Sequence, residues 1–560
     1  MPRKKRRIIA ADCETDPFYP NRVPEPFVWG AWHDGEFDWW TDTDEFVSWL
    51  REQYAIVYMH NGGKFDFMFL LGYMDTPNYP TIINGRIVSM QLGNAEIRDS
   101  FAICPVKLSD FQKTDIDYTK MEPGERNKHW AEILEYLKDD CYQLYRLVST
   151  FNEIAGRKHT VASNALASAK KMEIDPGRTN GKFDAYFRAF YYGGRCEAFD
   201  FGHFENVDFF DIKSAYPYAM MWQHPCGTDY RVGHRPEFYS DERLQACFVS
   251  VECTSHGAFP RQTKSGLEFP FTHDRFNVTG WEYAVARKHG LIENVRNVSI
   301  YEFYETIDFQ DYVDAWFERK ENADAEGDKA AKTVAKIMLN SLYGKMAQNP
   351  ENYEDFAYVS RDDDLQQWYD DGGWRIYQNV PGTDIVILWR KSLDPKRKMA
   401  EEKGLAFDQL PIFYNIATGA SITGFARAML LDAINTVGTD KVLYTDTDSL
   451  AVMPGARTDL LRRDGALGSW EWEGRTKHFY LAGKKLYAAH MTEGPKLGEK
   501  IASKGAKLGY QQVRDMVVNN ETVTWENEAP TFDIAGSARF MVRRIRPTAK
   551  GRNETANQRE

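Results

Sequence analysis

The stretch "KVLYTDTDSLAV", residues 441–452, carries two aspartates, Asp446 and Asp448, one residue apart in an otherwise apolar run. A strand that only fills a core does not carry such a pair, because a buried carboxylate without a partner is costly. Strand alternation predicts that Tyr444, Asp446 and Asp448 share one face, and Leu443, Thr445 and Thr447 the other. The same device recurs near the N-terminus. In "IIAADCET", alternation places Ile8, Ala10, Asp12 and Glu14 on one face. Acids at i and i+2 can grip one cation, or two cations lying close together. A chain with two such pairs, roughly four hundred residues apart, has to fold so that each pair meets further acids from distant segments.

Around the first pair those acids can be found. The helix expected over residues 128–151 has an apolar stripe at Ile133, Leu137, Leu144, Leu147 and Phe151. The missing member of that series is Asp140, with Tyr136 one turn earlier on the same side. In "YMHNGGKFDFMFLL", Asp66 follows Phe65, and Asn61 stands five residues upstream. Lys113 and Asp115 lie in "QKTDIDY". Each acid alone reads more naturally as a cap or a surface charge. The ordered set D-x-E, N-x-x-x-F-D, Y-x-x-x-D is much more specific.

A second set accompanies the opening pair. "VDFFDIKSAYPYAMM" reads as a strand ending at Asp211, then a turn at Tyr216-Pro217 into a helix. In "KTVAKIMLNSLYGKM", Lys332, Lys336, Asn340 and Tyr343 fall within roughly 80° of one helix face. Two lysines, an amide and a tyrosine on one side suit an incoming triphosphate and a base; a solvated helix face is the plainer reading.

The first set resembles the motifs of DnaQ-like (RNase H-like) 3′–5′ exonucleases. The second, "DIKSAYP", "KIMLNSLYG" and "YTDTDS", resembles motifs A, B and C of family B DNA polymerases, departing only at Ala215, where leucine is usual. "YYGGR", "GKKLYAA", "DIDY" and the two insertions flanking motif B bring the resemblance to the protein-primed branch of that family, over roughly residues 1–510.

The resemblance implies an α/β multidomain fold: an N-terminal RNase H-like exonuclease plus a right-hand polymerase of palm, fingers and thumb. The implied divisions are exonuclease 1–160, linker and palm 161–278, insertion one 279–325, fingers 326–349, insertion two 350–411, palm 412–475, thumb 476–546 and a disordered tail 547–560. Residues 350–411 read as irregular, an insertion or projecting arm.

It also implies site roles. Asp12, Glu14, Asp66 and Asp140 would hold two metals, Tyr136 would orient the attacking water, Lys113 would assist, and Asp115 would be a further metal contact. Asn61, Phe65, Ser100 and Phe101 would meet the single-stranded 3′ end. Asp211, Asp446, Asp448 and the Ile212 carbonyl would hold the polymerising metals. Tyr216 would pack beneath the sugar; Lys320, Lys332 and Lys336 would contact the triphosphate, beside Asn340, and Tyr343 the nascent base pair. Tyr191, Gly193 and Gly194 would contact DNA, and Lys485 and Tyr487 the primer strand. The implied cofactor is Mg²⁺, two ions per active site, with Mn²⁺ able to substitute. The implied partners are template-primer DNA, deoxynucleoside triphosphates and a terminal protein, for a monomer copying a linear phage genome in the cytoplasm of a bacterial host.

Composition fits without deciding the matter. Hydrophobic residues make up 43% of 560, enough for large cores, and no apolar run approaches the roughly 20 residues of a membrane helix. The seven cysteines form no C-x-x-C pair, which argues against a disulfide framework or a zinc site and for a reducing cytoplasm; Cys247 and Cys253 read as buried thiols. The net charge of −12 argues weakly against nucleic acid, since binding depends on the field within a cleft. Arg3 to Arg7 reads as a basic lead into the first strand. The competing readings are a family B polymerase primed by an ordinary nucleic-acid 3′ end, a nuclease with a non-catalytic DNA-binding domain, and a non-catalytic scaffold.

Overall fold

A computed structural model describes residues 6–111, 114–393, 395–406, 409–412 and 414–548. Lys113 and the tail from residue 549 lie outside the described residues.

The N-terminal unit is built on a mixed seven-stranded sheet. The strand Arg7–Thr15, next to the centre of the sheet, pairs antiparallel with Pro26–His33 and parallel with the central strand, Ala55–Met59. Most of Arg7–Thr15 is buried, as a strand covered on both faces must be. One face is covered by the helix Trp130–Ile154, whose buried positions include Ile133, Leu137, Asp140, Leu144, Leu147 and Phe151. The expected stripe is therefore present, with the acid in it.

A second seven-stranded sheet, antiparallel at every pairing, spans the region expected to be the palm. Its order is Gly498–Ser503, Leu486–Glu493, Trp470–Gly483, Gly202–Ile212, Ser449–Val452, Val442–Asp446, Cys196–Ala198. The helix Ile416–Val437 has apolar residues all round and is buried along nearly its whole length. The expected division at 475/476 falls inside the strand Trp470–Gly483 and would cut one hydrogen-bonded sheet.

Two other expected divisions also cut through continuous structure. The strands His224–Gly233, Cys247–His256, Phe271–Thr279 and Ile292–Ile307 form one four-stranded sheet, which a cut at 278/279 would split. Thr279 pairs with Phe248 and also caps the helix Gly280–Lys288, its side chain exchanging hydrogen bonds with Glu282. The helix Gln310–Ala325 packs along Lys329–Met346 as a two-helix hairpin, which a cut at 325/326 would separate. Its turn has Gly327 at φ 72° and Asp328 capping the second helix.

Residues 350–411 are not irregular. Tyr353–Ser360, Ile385–Ser392 and Arg375–Asn379 make a three-stranded antiparallel sheet. Its apolar face joins the N-terminal core: Phe356, Tyr358 and Ile387 cluster with Phe67, Leu71 and Met90, and so do Ile534 and Ala535 near the C-terminus. Asn78 and Tyr358 exchange backbone hydrogen bonds of 2.9 and 2.8 Å. The insertion and the end of the thumb thus both rest on the first domain. All seven cysteines are free thiols, Cys247 and Cys253 buried as expected. Among the described residues no helix is long and apolar enough to cross a membrane.

Candidate active sites

Asp12 and Glu14 lie on the strand Arg7–Thr15 of the N-terminal sheet, Asp66 opens the short helix Asp66–Phe69, and Asp140 projects from the covering helix. The four acids share one site. Burial, then the charges of Asp66, Asp140 and Glu14, pushes Asp12 well up. Burial, then Asp140 and Asp66, does the same to Glu14. Burial raises Asp66 to about 6 and Asp140 to about 7. The Cys13 thiol donates to Asp66 Oδ1 at 3.2 Å. Asp140 Oδ1 is buried without a hydrogen-bond partner. Four mutually repelling carboxylates and an orphaned buried oxygen form a hard-oxygen donor set that fits divalent metal. The Tyr136 hydroxyl lies 3.0 Å from that of Tyr118, a partner the sequence did not suggest.

The residues expected to hold a single strand divide. Phe65 stands edge-on to Phe18, Phe69 and Phe532 at 5.6, 5.3 and 6.0 Å, forming an aromatic wall beside Asp66. Asn61, exposed at φ 59°, accepts from Arg86 at 2.8 Å. Arg86 also covers the Phe101 ring at 4.9 Å. Ser100, by contrast, is fully buried, with its hydroxyl 2.9 Å from His60 Nδ1. Its side chain is thus turned into the domain rather than toward solvent. Asp115 is exposed, its carboxylate turned onto the Ile116 amide, and it contributes to none of the four acids' shifts.

In the palm the opening motif is not one strand. Val442–Asp446 and Ser449–Val452 are the arms of a hairpin whose turn is Thr447 and Asp448, with Thr447 at φ 63°. Asp448 is therefore a turn residue, and the predicted alternation with Asp446 fails. A tight turn brings the acids together instead. Ser449 is the cross-strand partner of Asp446 on one side and of Asp211 on the other. Directly opposed residues face the same way, so Asp211 and Asp446 share a face, two strand spacings or roughly 9–10 Å apart at Cα. The Ile212 amide donates to the Asp448 carbonyl at 2.8 Å and locks the turn to the Asp211 strand.

Burial, then Asp448 and Glu473, raises Asp211 to about 7; burial, then Asp446 and Glu473, raises Asp448 to about 6. This set also fits divalent metal. Glu473 is the acid that sequence reading missed. It is buried and ion-paired to Lys496 and Lys500. The i, i+2 acids of "WEWEG" were its only signal.

Tyr216 follows a strand-to-helix turn in which Ser214 is left-handed, at φ 52°. Ala215, in leucine's usual place, is buried beside it. The Tyr216 ring stacks on Tyr343 from the fingers, centroids 4.1 Å apart and 8° from parallel. In this conformation nothing fits between the rings, so a base can use only an outer face of the pair. Lys336 is exposed, and Asn340 donates to its carbonyl at 2.8 Å. Lys332 is paired with Asp324, and Lys320 with Glu321 while lying 4.4 Å over Phe317.

The Y-x-G-G segment abuts the acidic turn. A Cβ on Gly194 would lie 2.8 Å from Thr447 Oγ1, and the Thr447 amide donates to the Arg195 carbonyl at 2.6 Å. Arg427, fully buried and paired with Glu282, donates to the carbonyls of Tyr192 and Gly193 and so holds Tyr191 and its neighbours in place. Lys485 reaches Asp446 at 3.0 Å, and Tyr487 stands edge-on to Tyr444 at 5.2 Å.

Known proteins resemble this arrangement. A family model described as DNA polymerase type B, organellar and viral, matches residues 111–437. The DNA-directed DNA polymerase of Enterobacteria phage PRD1 is 34% identical, over 98% of this chain and all of that one. The DNA polymerase of Bacillus phage phi29 is 24% identical over 87% of each. A crystal structure of phi29 DNA polymerase superimposes with a TM-score of 0.72 at 18% identity, covering 97% of this chain and all of that one. The same polymerase complexed with primer-template DNA gives 0.71 at 19% identity, with the same coverage.

Proposed function

The chain belongs to the family B DNA polymerases of the protein-primed type found in phages PRD1 and phi29, and from that premise we propose that it copies DNA and proofreads its own product. Its polymerase activity is DNA-directed, in phage replication. The observation that carries the assignment is Asp211 and Asp446 facing the same way on either side of Ser449, with Asp448 in the adjoining turn.

Asp211, Asp446 and Asp448 would hold Mg²⁺, with Mn²⁺ able to substitute. Two such ions would lower the pKa of an attacking 3′-hydroxyl and neutralise charge on the transferred phosphate. The protein's own groups do the rest. The Tyr216–Tyr343 stack offers a flat platform for the nascent pair, crowding the sugar so that a 2′-hydroxyl is disfavoured. Lys336 supplies an exposed cation for the triphosphate. Lys485 neutralises the edge of the acid cluster where the primer phosphates pass.

In the N-terminal domain Asp12, Glu14, Asp66 and Asp140 would hold the second metal pair. The Tyr136 hydroxyl, braced by Tyr118, orients the water that cuts the terminal phosphodiester. Phe65 and Phe101 stack the frayed bases. The first nucleotide is joined to a hydroxyl of a terminal protein. The four-stranded sheet 224–307 and the three-stranded insertion are the surfaces that contact it and surround the DNA, giving strand displacement. The protein acts as a monomer in the cytoplasm of a bacterial host.

Two assays test this. Primer extension and single-strand degradation are measured for the wild type, Asp446→Ala and Asp12→Ala. Extension that survives Asp446→Ala would sink the polymerase assignment and favour a nuclease with a binding domain. Deoxynucleotide transfer with and without the co-expressed terminal protein separates protein priming from nucleic-acid priming.

A further inference from the structure

A second kind of metal site lies on the palm sheet, away from either acid cluster. In the pairing of Gly202–Ile212 with Trp470–Gly483, His203 stands opposite Tyr480, and Glu205 opposite His478. Residues i and i+2 share a face, as do directly opposed residues, so all four side chains project from the same side. One ligand atom each from His203, Glu205 and His478 lies within 4.8 Å of the others. The closest pair is His203 Nε2 and His478 Nδ1, at 2.9 Å; Glu205 Oε1 is 4.0 Å from the same Nδ1.

The rings are held in place. His203 stacks on Tyr480, centroids 4.7 Å apart and 14° from parallel, and Tyr480 meets Tyr510 edge-on at 5.8 Å. Two imidazole nitrogens aimed at each other can share only one proton, and two imidazolium ions would repel there. A divalent cation in that proton's place needs metal–nitrogen bonds of about 2.0–2.1 Å, hence nitrogens about 3.0–3.4 Å apart. Opening the pair by a few tenths of an ångström meets that need. His203 and Glu205 are exposed, so small side-chain rotations suffice and water can fill the remaining positions.

We propose that His203, Glu205 and His478 bind a borderline divalent cation of the Zn²⁺ class. Two imidazoles and one carboxylate suit such ions and not Mg²⁺. Glu205 precedes Asp211 by six residues on the same strand, so the site is roughly 20 Å from the catalytic acids. A cation there clips the strand bearing Asp211 to the strand that runs from Glu473 into the thumb. It braces the junction without entering the reaction.

The test uses tag-free, chelator-stripped full-length protein in excess Mg²⁺, which fills the carboxylate sites. Co²⁺ is titrated by its d–d absorption and Zn²⁺ by competition, for the wild type, His478→Ala and Glu205→Gln. The expected result is one Zn²⁺ bound per wild-type chain, a rise in melting temperature with Zn²⁺, and affinity weakened roughly tenfold or more in His478→Ala. Mg²⁺-supported primer extension should be the same in all three. Unchanged affinity in both variants would mean that the seven thiols or the catalytic acids take the metal, and would overturn the proposal. So would no binding to the wild type, which would leave a hydrogen-bonded histidine pair only. Matching melting temperatures of the metal-free proteins check that the variants fold.

Discussion

Lys485 holds its ammonium 3.0 Å from the Asp446 carboxylate, so the loop after the strand Trp470–Gly483 closes onto the turn that carries the polymerisation acids. The Lys485 amide also donates to the Tyr444 hydroxyl at 3.2 Å, and that hydroxyl donates to Asp446 at 3.3 Å. Lysine and tyrosine together set the direction of Asp446. Lys485→Ala should slow extension roughly tenfold, mainly through weaker binding of primer-template, while single-strand degradation is kept. Lys485→Arg should recover part of the loss. Steady-state kinetics of both reactions check this; equal losses in the two would point to a folding defect.

The two acid clusters are separate in the chain and in their sheets, so their losses should be separable. Asp446→Asn should lower extension about 10²–10³-fold or more and leave degradation unchanged, and Asp140→Asn should do the reverse. Asp140→Asn also removes one of four crowded carboxylates. In chelator at about pH 8 that variant should melt higher than the wild type, by an amount worth on the order of 1 kcal/mol. Calorimetry reads the second effect independently of activity.

Gly194 has no room for a side chain. A Cβ there would approach Thr447 Oγ1 to 2.8 Å and Cγ2 to 2.9 Å, and Thr447 is already in the left-handed region. Gly194→Ala should shift the turn, cost about 1–3 kcal/mol and reduce extension far more than degradation. Adding Thr447→Gly removes the clash and the unfavourable φ together. The double variant should regain most of the lost extension; if it does not, the contact is not what limits the single variant.

Asp66 and Asp140 titrate at about 6 and about 7, against an ordinary 3.8. Between those values the folded chain keeps protons that the unfolded chain has released. Linkage then makes the metal-free protein lose stability as pH rises from about 4 through about 7; below 3.8 both states are protonated and the effect vanishes. Protons and Mg²⁺ compete for the same oxygens. The Mg²⁺ needed for half-maximal degradation should therefore climb as pH falls from about 8 to about 6, by up to roughly tenfold per pH unit for each proton displaced. A half-saturation value independent of pH would contradict the assigned cluster.

Tyr358 ties the insertion to the thumb, its hydroxyl donating to the Ile534 carbonyl at 2.5 Å in a fully buried setting. Tyr358→Phe leaves that carbonyl unsatisfied and should cost about 1–3 kcal/mol locally. Faster amide exchange around residues 531–539 and shorter products on a long circular template are the expected readouts. Single-nucleotide addition should be unchanged.

Much of the site was legible because metal chemistry demands a particular residue type at each position. Asp140 could be found as the one acid in an apolar stripe, and the structure puts it among Asp12, Glu14 and Asp66. Asp448 lies beside Asp211 and Asp446, but in a turn and not on the strand face that alternation predicts. Strand alternation cannot foresee a two-residue turn, and Thr447 is not a residue that announces positive φ. Ser100 is buried and Asp115 exposed away from the four acids, because neighbourhood in sequence says nothing about where a side chain is turned. The divisions expected at 278 and 475 cut hydrogen-bonded sheets and the one at 325 cuts a helix hairpin, since a sheet or a hairpin takes its partners by hydrogen bonding and packing, not by order along the chain. The insertion looked irregular because charged segments such as "RDDD" and "DDGG" separate its short strands.

The sequence by itself determined which acids could bind metal, which helix face carried cations, and that the two chemistries occupy different parts of the chain. Each of these is written in local residue type and spacing. Only the tertiary structure decided that Ser449 sets the separation of Asp211 and Asp446, that Glu473 raises the pKa of both Asp211 and Asp448, and that Tyr216 and Tyr343 stack. It also decided that His203 and His478 come to face each other. Those relations join residues up to about 270 positions apart, through strand register and burial that no local pattern encodes.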